Sequence, residues 1–102
     1  MTLEETFNTS PLAKAVRDAR LGHVFLPEQD AVLIHDTEYT QEPKSEEQKE
    51  EMRDWVRDIL TKVLGGLERE VKVFVDRDAG AGGRKCCCTS ATYVVAKGEI
   101  PR

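Results

Sequence analysis

A glycine-rich stretch near the C-terminal end of the sequence carries the residue types that most readily suggest ligand chemistry. It spans residues 76–85 and contains three glycines followed by two cations, namely Gly80, Gly82, Gly83, Arg84 and Lys85. Glycines let a backbone approach a ligand closely, and adjacent cations can hold a phosphate group. The stretch therefore supports one functional hypothesis, the binding of a phosphate or another small ligand.

The same stretch departs from the known phosphate-binding and calcium-binding loops. A P-loop needs Gly-Lys-Ser/Thr at the start of a helix, and a dinucleotide-binding loop also needs a following helix. Here Arg84 and Lys85 begin a run of strand-forming residues. An EF-hand loop beginning at Asp76 would need glycine at its sixth position and glutamate at its twelfth, where Ala81 and Cys87 stand. The alternative interpretation is a flexible hairpin loop without a ligand.

Three adjacent cysteines, Cys86, Cys87 and Cys88, follow this stretch. On a strand, successive side chains point to opposite faces, so the three thiols cannot converge on one ion. The chain has no C-x-x-C spacing of the kind that zinc sites use. We therefore assign no metal and no cofactor, and we expect these cysteines to act as small apolar residues. Neighbouring cations could also lower a thiol pKa and favour oxidation.

His23 and His35 stand at the start and end of a predicted β-hairpin, where they could face each other beside Asp36. A catalytic cysteine–histidine pair would require convergence of distant residues, which no spacing here indicates. The sequence also lacks the nucleophile elbow of serine hydrolases and the zinc-protease motif. An enzymatic function is therefore the least supported hypothesis, and we assign no catalytic residue.

The acidic residues of the chain are concentrated in one segment. The net charge is −4, and residues 28–51 hold nine acids against two lysines. This charge argues against direct nucleic-acid binding, in which phosphate contacts supply much of the affinity. It permits a protein partner with a basic surface. The acids that we predict to meet that surface are Glu38, Glu42, Glu46 and Glu47.

From these observations we predict a small acidic intracellular protein-binding module, acting as an adaptor or an inhibitor. A partner that binds nucleic acid would have a suitable basic surface, on which the acids would take the places of phosphates. The alternative interpretation of the acidic segment is a solvated face that keeps the protein soluble. Phosphate or small-ligand binding by residues 76–85 remains the second functional hypothesis.

The location predicted from the sequence is cytoplasmic, without membrane association. No apolar run is long enough to cross a bilayer. The first residues are acidic, whereas a signal peptide begins with basic residues and continues with an apolar stretch. Three cysteines in a row do not resemble the framework of a disulfide-bonded secreted domain.

The longest predicted element is a helix over residues 45–67. Apolar residues recur there at steps of three and one, which places them on one wide helical face typical of packing on a sheet. They are Met52, Trp55, Val56, Ile59, Leu60, Val63, Leu64 and Leu67. Ser45 and Gln48 form a predicted capping box at the start, and Gly65-Gly66 ends the pattern.

The remaining sequence predicts one further helix and four strands. Residues 1–9 are predicted to be a flexible tail, with Leu3 and Phe7 able to dock on a single domain formed by residues 10–102. Ser10 and Pro11 begin a short helix that we expect to end at Gly22. Two strands are then predicted over residues 23–26 and 31–35, joined by a turn at 27–30. A polar loop over residues 36–44 follows, although Thr37 and Tyr39 could extend the second strand. The last two predicted strands cover residues 71–75 and 86–96.

The predicted order is therefore α-β-β-α-β-β. We expect an α+β fold in which a four-stranded, mainly antiparallel sheet carries two helices on one face. The other face would be open to solvent or covered by a partner. Phe74 lies opposite Val71, Val73 and Val75 on its strand, so it would be exposed there. A homo-oligomer formed through this second face is a further possibility.

Overall fold

The computed structural model describes residues 1–77 and 87–102, and it has the predicted α+β fold. Four antiparallel strands form one sheet in the order β1-β2-β4-β3. The strands are β1 Gly22–Leu26, β2 Ala31–Thr40, β3 Lys72–Asp76 and β4 Cys87–Ala96. The helices are α1 Leu3–Asn8, α2 Pro11–Asp18 and α3 Glu46–Leu64, with short 3-10 turns at Pro27–Gln29 and Lys97–Glu99. No helix in these described ranges combines the length and the apolar character that crossing a bilayer requires.

The long helix α3 begins and ends as its sequence predicts. The Ser45 side chain accepts a hydrogen bond from the Gln48 backbone N–H at 3.2 Å, and the Gln48 side chain accepts one from the Ser45 N–H at 2.9 Å. This reciprocal pair confirms the capping box. The helix ends before Gly65, whose φ of 78° is left-handed, a conformation that glycine adopts at little cost. Met52, Val56 and Leu60 are its buried residues.

Helix α2 is shorter than predicted. Ser10 caps its start, but the helix ends at Asp18 and not at Gly22. The reason is that Arg20 takes a left-handed conformation with φ of 59°, which turns the chain and buries Leu21. Gly22 is instead the first residue of β1.

The N-terminal segment differs from the predicted flexible tail, because residues 3–8 form helix α1. Thr2 caps this helix by accepting a hydrogen bond from the Glu5 N–H at 3.1 Å. Phe7 is only 1% exposed and Leu3 packs against the core, so the predicted docking of both residues is observed. Burial of these apolar side chains is what stabilises a helix this short.

Strand β2 has ten residues, whereas the sequence predicted a strand over residues 31–35 followed by a loop over 36–44. The strand therefore continues through about half of the predicted loop. Residues 36–40 pair with β4 over the register Asp36↔Ala91 to Thr40↔Cys87. The extension suggested by Thr37 and Tyr39 is therefore correct, and only residues 41–45 connect the strand to α3. Side chains of β-branched and aromatic residues favour this extended backbone.

The sheet has two different faces, which we name the covered face and the open face. On β4, alternate residues Cys87 to Val95 are buried under the helices, while the residues between them are partly exposed. The covered face packs against one core that also contains Phe7, Leu12, Val16, Met52, Val56 and Leu60. Phe74 lies on the open face and is 57% exposed, as its position on β3 predicts.

The two central strands are longer than the outer ones, so the sheet is staggered. Strand β1 pairs only with residues 31–35 of β2, and β3 pairs only with residues 88–92 of β4. Arg69 lies just before β3 in the chain. Its guanidinium donates a hydrogen bond to the Val94 carbonyl at 2.7 Å and another to the Glu99 carboxylate at 2.8 Å. Arg69 thereby satisfies a backbone acceptor on the β3 side of β4.

Candidate functional site

The open face exposes large apolar side chains at three places. Tyr39 is 71% exposed, Phe74 is 57% exposed and Val24 is 48% exposed. The register places Val24 beside Leu33, and Leu33 beside Val94, in one apolar row across three strands. Contiguous exposed apolar surface on a small protein is typical of an interaction site.

A row of polar side chains lies between the two exposed aromatics of this face. The Thr37 hydroxyl lies 3.1 Å from the Ser90 hydroxyl and 3.4 Å from Nδ1 of His35, and Ser90 lies 3.5 Å from the Cys88 thiol. The four side chains therefore form a hydrogen-bonded line across β2 and β4. It gives the open face a polar centre with hydrogen-bond donors and acceptors.

The position of His35 depends on the glycine opposite to it. The register pairs Gly22 with His35, and a Cβ placed on Gly22 would lie 2.3 Å from the imidazole ring. The ring therefore occupies the space above the glycine, which no larger residue could share without displacement. The prediction that His23 and His35 face each other is wrong, because His23 pairs with Ile34 and lies on the other face, 4.7 Å from the Phe7 ring.

The four predicted partner-binding acids lie near the end of β2 and the start of α3. Glu38 is on the covered face of β2 and forms an ion pair with Lys44. Glu46 is bound by Lys49 at 2.9 Å, and this hydrogen bond and positive charge lower the pKa of Glu46. Glu42 and Glu47 are exposed. These acids are thus grouped at one end of the molecule, and two of them already have lysine partners.

A pocket of about 570 Å³ opens between this end of β2, the end of α2 and the first turns of α3. Its lining residues combine carboxylates, cations, an amide, a tryptophan and smaller apolar groups, and they are Ala19, Arg20, Asp36, Glu38, Lys44, Gln48, Glu51, Met52 and Trp55. Trp55 was predicted to widen the core face of α3. Instead it is 45% exposed and forms part of this pocket.

The pocket is lined by three carboxylates, of Asp36, Glu38 and Glu51, and by two cations, Arg20 and Lys44. Partial burial raises the pKa of Asp36 above its ordinary value, and the neighbouring Glu38 carboxylate raises it further. The Thr37 backbone, His35 and Lys44 act in the opposite direction, but the net change is upward. A carboxylate whose charge is disfavoured in this way is stabilised by any cation that enters the pocket.

One edge of β2 beside the pocket has no strand partner within the described residues. Pairing with β1 stops at His35, whereas β4 pairs with β2 as far as Thr40. We call residues 36–40 the free edge of β2. Unpaired N–H and C=O groups along the edge of a strand are a template on which an extended chain can pair.

The predicted ligand-binding loop lies almost entirely outside the described residues. Asp76 ends β3 and Arg77 follows it, while Gly80, Gly82, Gly83, Arg84 and Lys85 all lie in the range 78–86. The phosphate hypothesis therefore stays a prediction. Cys87 is buried on the covered face and Cys88 is partly exposed on the open face, so their predicted divergence is confirmed. Residues 1–77 and 87–102 contain no cluster of three or more histidines, cysteines and acids suited to a metal ion.

Sequence reasoning missed the pocket and the free edge because both depend on where elements end. The sequence contains Asp36, Glu51 and Trp55, but only the turn at Arg20 and the crossing of α3 bring them together. The bounds of β1 were predicted almost correctly, but the free edge also requires β2 to continue past His35, and the sequence offered that extension only as an alternative to a loop over residues 36–44. Comparisons with protein-family models, curated proteins and solved structures found no match.

Proposed function

We propose that this chain is a protein-binding module whose partner has a basic surface. The observation that carries the proposal is the joint position of exposed aromatics and acids at one end of the molecule. Tyr39 projects from the open face at the end of β2, and Glu38 and Glu42 lie on either side of it in the chain. Aromatic side chains supply contact area, and charge complementarity selects the partner.

The charge around Tyr39 supports a cationic partner. Residues 36–51 contain seven acids against Lys44 and Lys49, a net charge of −5. The ion pairs made by Glu38 and Glu46 are exposed or partly exposed, and such pairs contribute only about 0–1 kcal/mol. A partner's arginine or lysine can therefore exchange with the internal lysines at little cost.

The biological role that fits this proposal is that of an adaptor or an inhibitor in the cytoplasm. A nucleic-acid-binding protein is a suitable partner, because its surface is built to receive phosphates and would receive these carboxylates in their place.

The proposal is tested by affinity capture from lysate with three immobilised versions of the chain. They are the unchanged chain, an acid variant in which Glu38, Glu42, Glu46 and Glu47 become glutamine, and a control variant. The control carries Glu4→Gln, Asp18→Asn, Glu28→Gln and Glu68→Gln, which remove the same charge at exposed positions elsewhere. Captured proteins are quantified by mass spectrometry at low and moderate salt.

We expect a partner that binds the unchanged chain and the control, is lost from the acid variant, and is released as salt rises. A partner that binds the acid variant equally well would contradict the proposal. The absence of any partner that distinguishes the acid variant from the control would contradict it too, and would favour the small-ligand hypothesis for residues 76–85.

A further inference from the structure

The free edge of β2, residues 36–40, pairs with β4 on one side and with no described strand on the other. In the described structure, β1 occupies the edge beside residues 31–35 and then turns away at Arg20 and Leu21. Leu21 is buried, whereas Arg20 is exposed and lines the pocket together with Ala19, Asp36 and Glu38, so the pocket borders the free edge. An extended segment placed there would continue the line of β1 without displacing it.

The free edge has no lysine, proline or bulge that would block pairing, but Asp36 and Glu38 place charges on the covered face, and such inward-pointing charges restrict which partners an edge strand accepts. Natural edge strands are commonly blunted by lysine, proline or a bulge. Here the sequence is Asp-Thr-Glu-Tyr-Thr, and its regular pairing with β4 shows no bulge over residues 36–40. The acids Asp36 and Glu38 do oppose one kind of partner, because a second copy of this edge would bring like charges together.

Charge complementarity therefore selects a basic segment as the occupant. Alternate side chains of an added strand point to opposite faces. One set would lie over the pocket that Asp36, Glu51 and Trp55 help to line, and the other set would lie beside Thr37 and Tyr39 on the open face. A cation in the pocket would meet both a carboxylate and an indole ring, a combination that attracts lysine and arginine.

We propose that the free edge of β2 binds an extended basic segment as a fifth strand, with a lysine or arginine side chain in the pocket beside Asp36 and Trp55. This inference rests on the proposed function, since it names the part of the basic partner that is bound and the place where it binds. The main-chain hydrogen bonds supply affinity, and the pocket supplies the preference for a basic residue at the position that faces it.

The raised pKa of Asp36 supports this assignment independently of the strand geometry. Glu38, His35 and Lys44 act on this carboxylate, while Arg20 at the end of α2 and Glu51 on α3 share its pocket. Lys44 is already paired with Glu38. An incoming cation would therefore stabilise the ionised form of Asp36 and make binding stronger as pH rises through the carboxylate range.

The test uses a fluorescein-labelled peptide of about six alternating arginine and threonine residues, a typical strand length. Two further peptides carry N-methyl groups on alternate amides, one set on the arginines and the other on the threonines. Only one set of amides faces the neighbouring strand in an extended chain. We therefore expect one methylated peptide to bind at least about tenfold more weakly and the other to bind as the parent does.

Variants of the full chain locate the binding site. We expect Asp36→Asn and Trp55→Ala each to weaken binding of the parent peptide by roughly two- to fivefold. The matched control Glu28→Gln replaces an exposed acid away from the pocket and should leave the affinity unchanged. Fluorescence anisotropy measures each affinity, and circular dichroism verifies that each variant is folded.

Equal loss of binding with both methylated peptides, or none with either, would overturn the strand-addition model. Equal effects of the pocket variants and their control would overturn the pocket assignment. Failure of the proposed function can be told apart from failure of this inference. In that case the lysate capture would not depend on the four acids, but one methylated peptide would still bind more weakly than the other. Self-association that the parent peptide cannot displace would show that a second copy occupies the edge, and would also overturn the inference.

Discussion

The two faces of the sheet are built from the same strands but differ in what their side chains contact. Ile34 and Leu33 are neighbours on β2, and Ile34 is fully buried under the helices while Leu33 remains partly exposed beside Val24. On β4 the alternation continues without exception from Cys87 to Ala96. The difference teaches that one face supplies stability and the other is left available for contact.

The covered face is apolar where it packs on the core and polar near the end of β2, at Asp36 and Glu38, whereas the open face is mixed. Burial of an aliphatic side chain such as Ile34 or Val95 stabilises the fold by about 1.5–3 kcal/mol. On the open face, Thr37 and Ser90 are joined by a hydrogen bond whose net contribution is only about 1 kcal/mol. Substitutions on the two faces should therefore have clearly different effects.

The largest expected effect concerns Phe7, whose ring extends the cover of the sheet beyond the two predicted helices. Phe7→Ala should lower the free energy of unfolding by about 3–5 kcal/mol, because it removes a buried aromatic side chain and leaves a cavity. Urea denaturation measures the loss, and Glu4→Ala on the exposed side of α1 is the control. A loss below about 1 kcal/mol would mean that α1 does not belong to the covered face.

A smaller effect is expected on the open face, where Gly22 makes room for His35. Gly22→Ala should lower the free energy of unfolding by about 1–3 kcal/mol, because the added Cβ would overlap the imidazole ring. The double variant with His35→Ala should recover most of this loss, since the ring is then absent. A double-mutant cycle by urea denaturation measures the coupling, and additive losses would contradict the close approach of these two residues.

Phe74 and Val73 are adjacent on β3 and lie on opposite faces of the sheet, so substitutions at these two positions test the difference between the faces. Phe74→Ser should change the free energy of unfolding by less than about 0.5 kcal/mol, because Phe74 is exposed. Val73→Ser should cost about 1 kcal/mol or more, because Val73 packs against the core. Thermal denaturation measures both, and equal losses would contradict the assignment of faces. If the chain forms a homo-oligomer through the open face, Phe74→Ser should also yield monomers in sedimentation experiments.

The smallest expected effect concerns Asp36, at the border between the covered face and the acidic end. Its folded-state pKa is raised, so the folded state holds this proton more tightly than the unfolded state does. The stability associated with that proton is present at low pH and is lost as pH rises from the unfolded to the folded pKa. Asp36→Asn should remove this decline and be slightly more stable at neutral pH.

The Asp36 effect is measured by urea denaturation across roughly pH 3–7, the range in which carboxyl groups titrate in proteins. We expect a difference well under about 1 kcal/mol, because solvent still screens a side chain that is only partly buried. Glu28→Asn is the control, and the same pH profile for the control and Asp36→Asn would contradict the burial of Asp36.

The local elements of the fold could be predicted because their determinants are short-range. Ser45 and Gln48 stand at the spacing of a capping box, and the alternating valines of β3 identify its covered side. Helix α1 was missed because its six residues carry little periodicity, and its stability comes from Phe7 in the distant core. Local patterns do not contain that information.

The candidate site was only partly predictable for a related physical reason. The acids Glu38, Glu42, Glu46 and Glu47 were proposed from charge alone, and the structure places them between the end of β2 and the first turn of α3, while their role in binding stays a prediction. Their pairing with Lys44 and Lys49, and the placement of Trp55 in a pocket, depend on side-chain positions in three dimensions. The glycine-rich loop remains a hypothesis from the sequence, since residues 78–86 lie outside the described structure.

The pairing of β2 with β4 at the centre of the sheet has a consequence for the order of folding. The first hairpin joins residues close in sequence, but the central pairs run from Thr40↔Cys87 to Ala31↔Ala96 and enclose all of α3 and β3. Such long-range contacts must close a large loop before they contribute, which slows folding. The central amides should consequently exchange with solvent deuterium last, and β1 and β3 should open first.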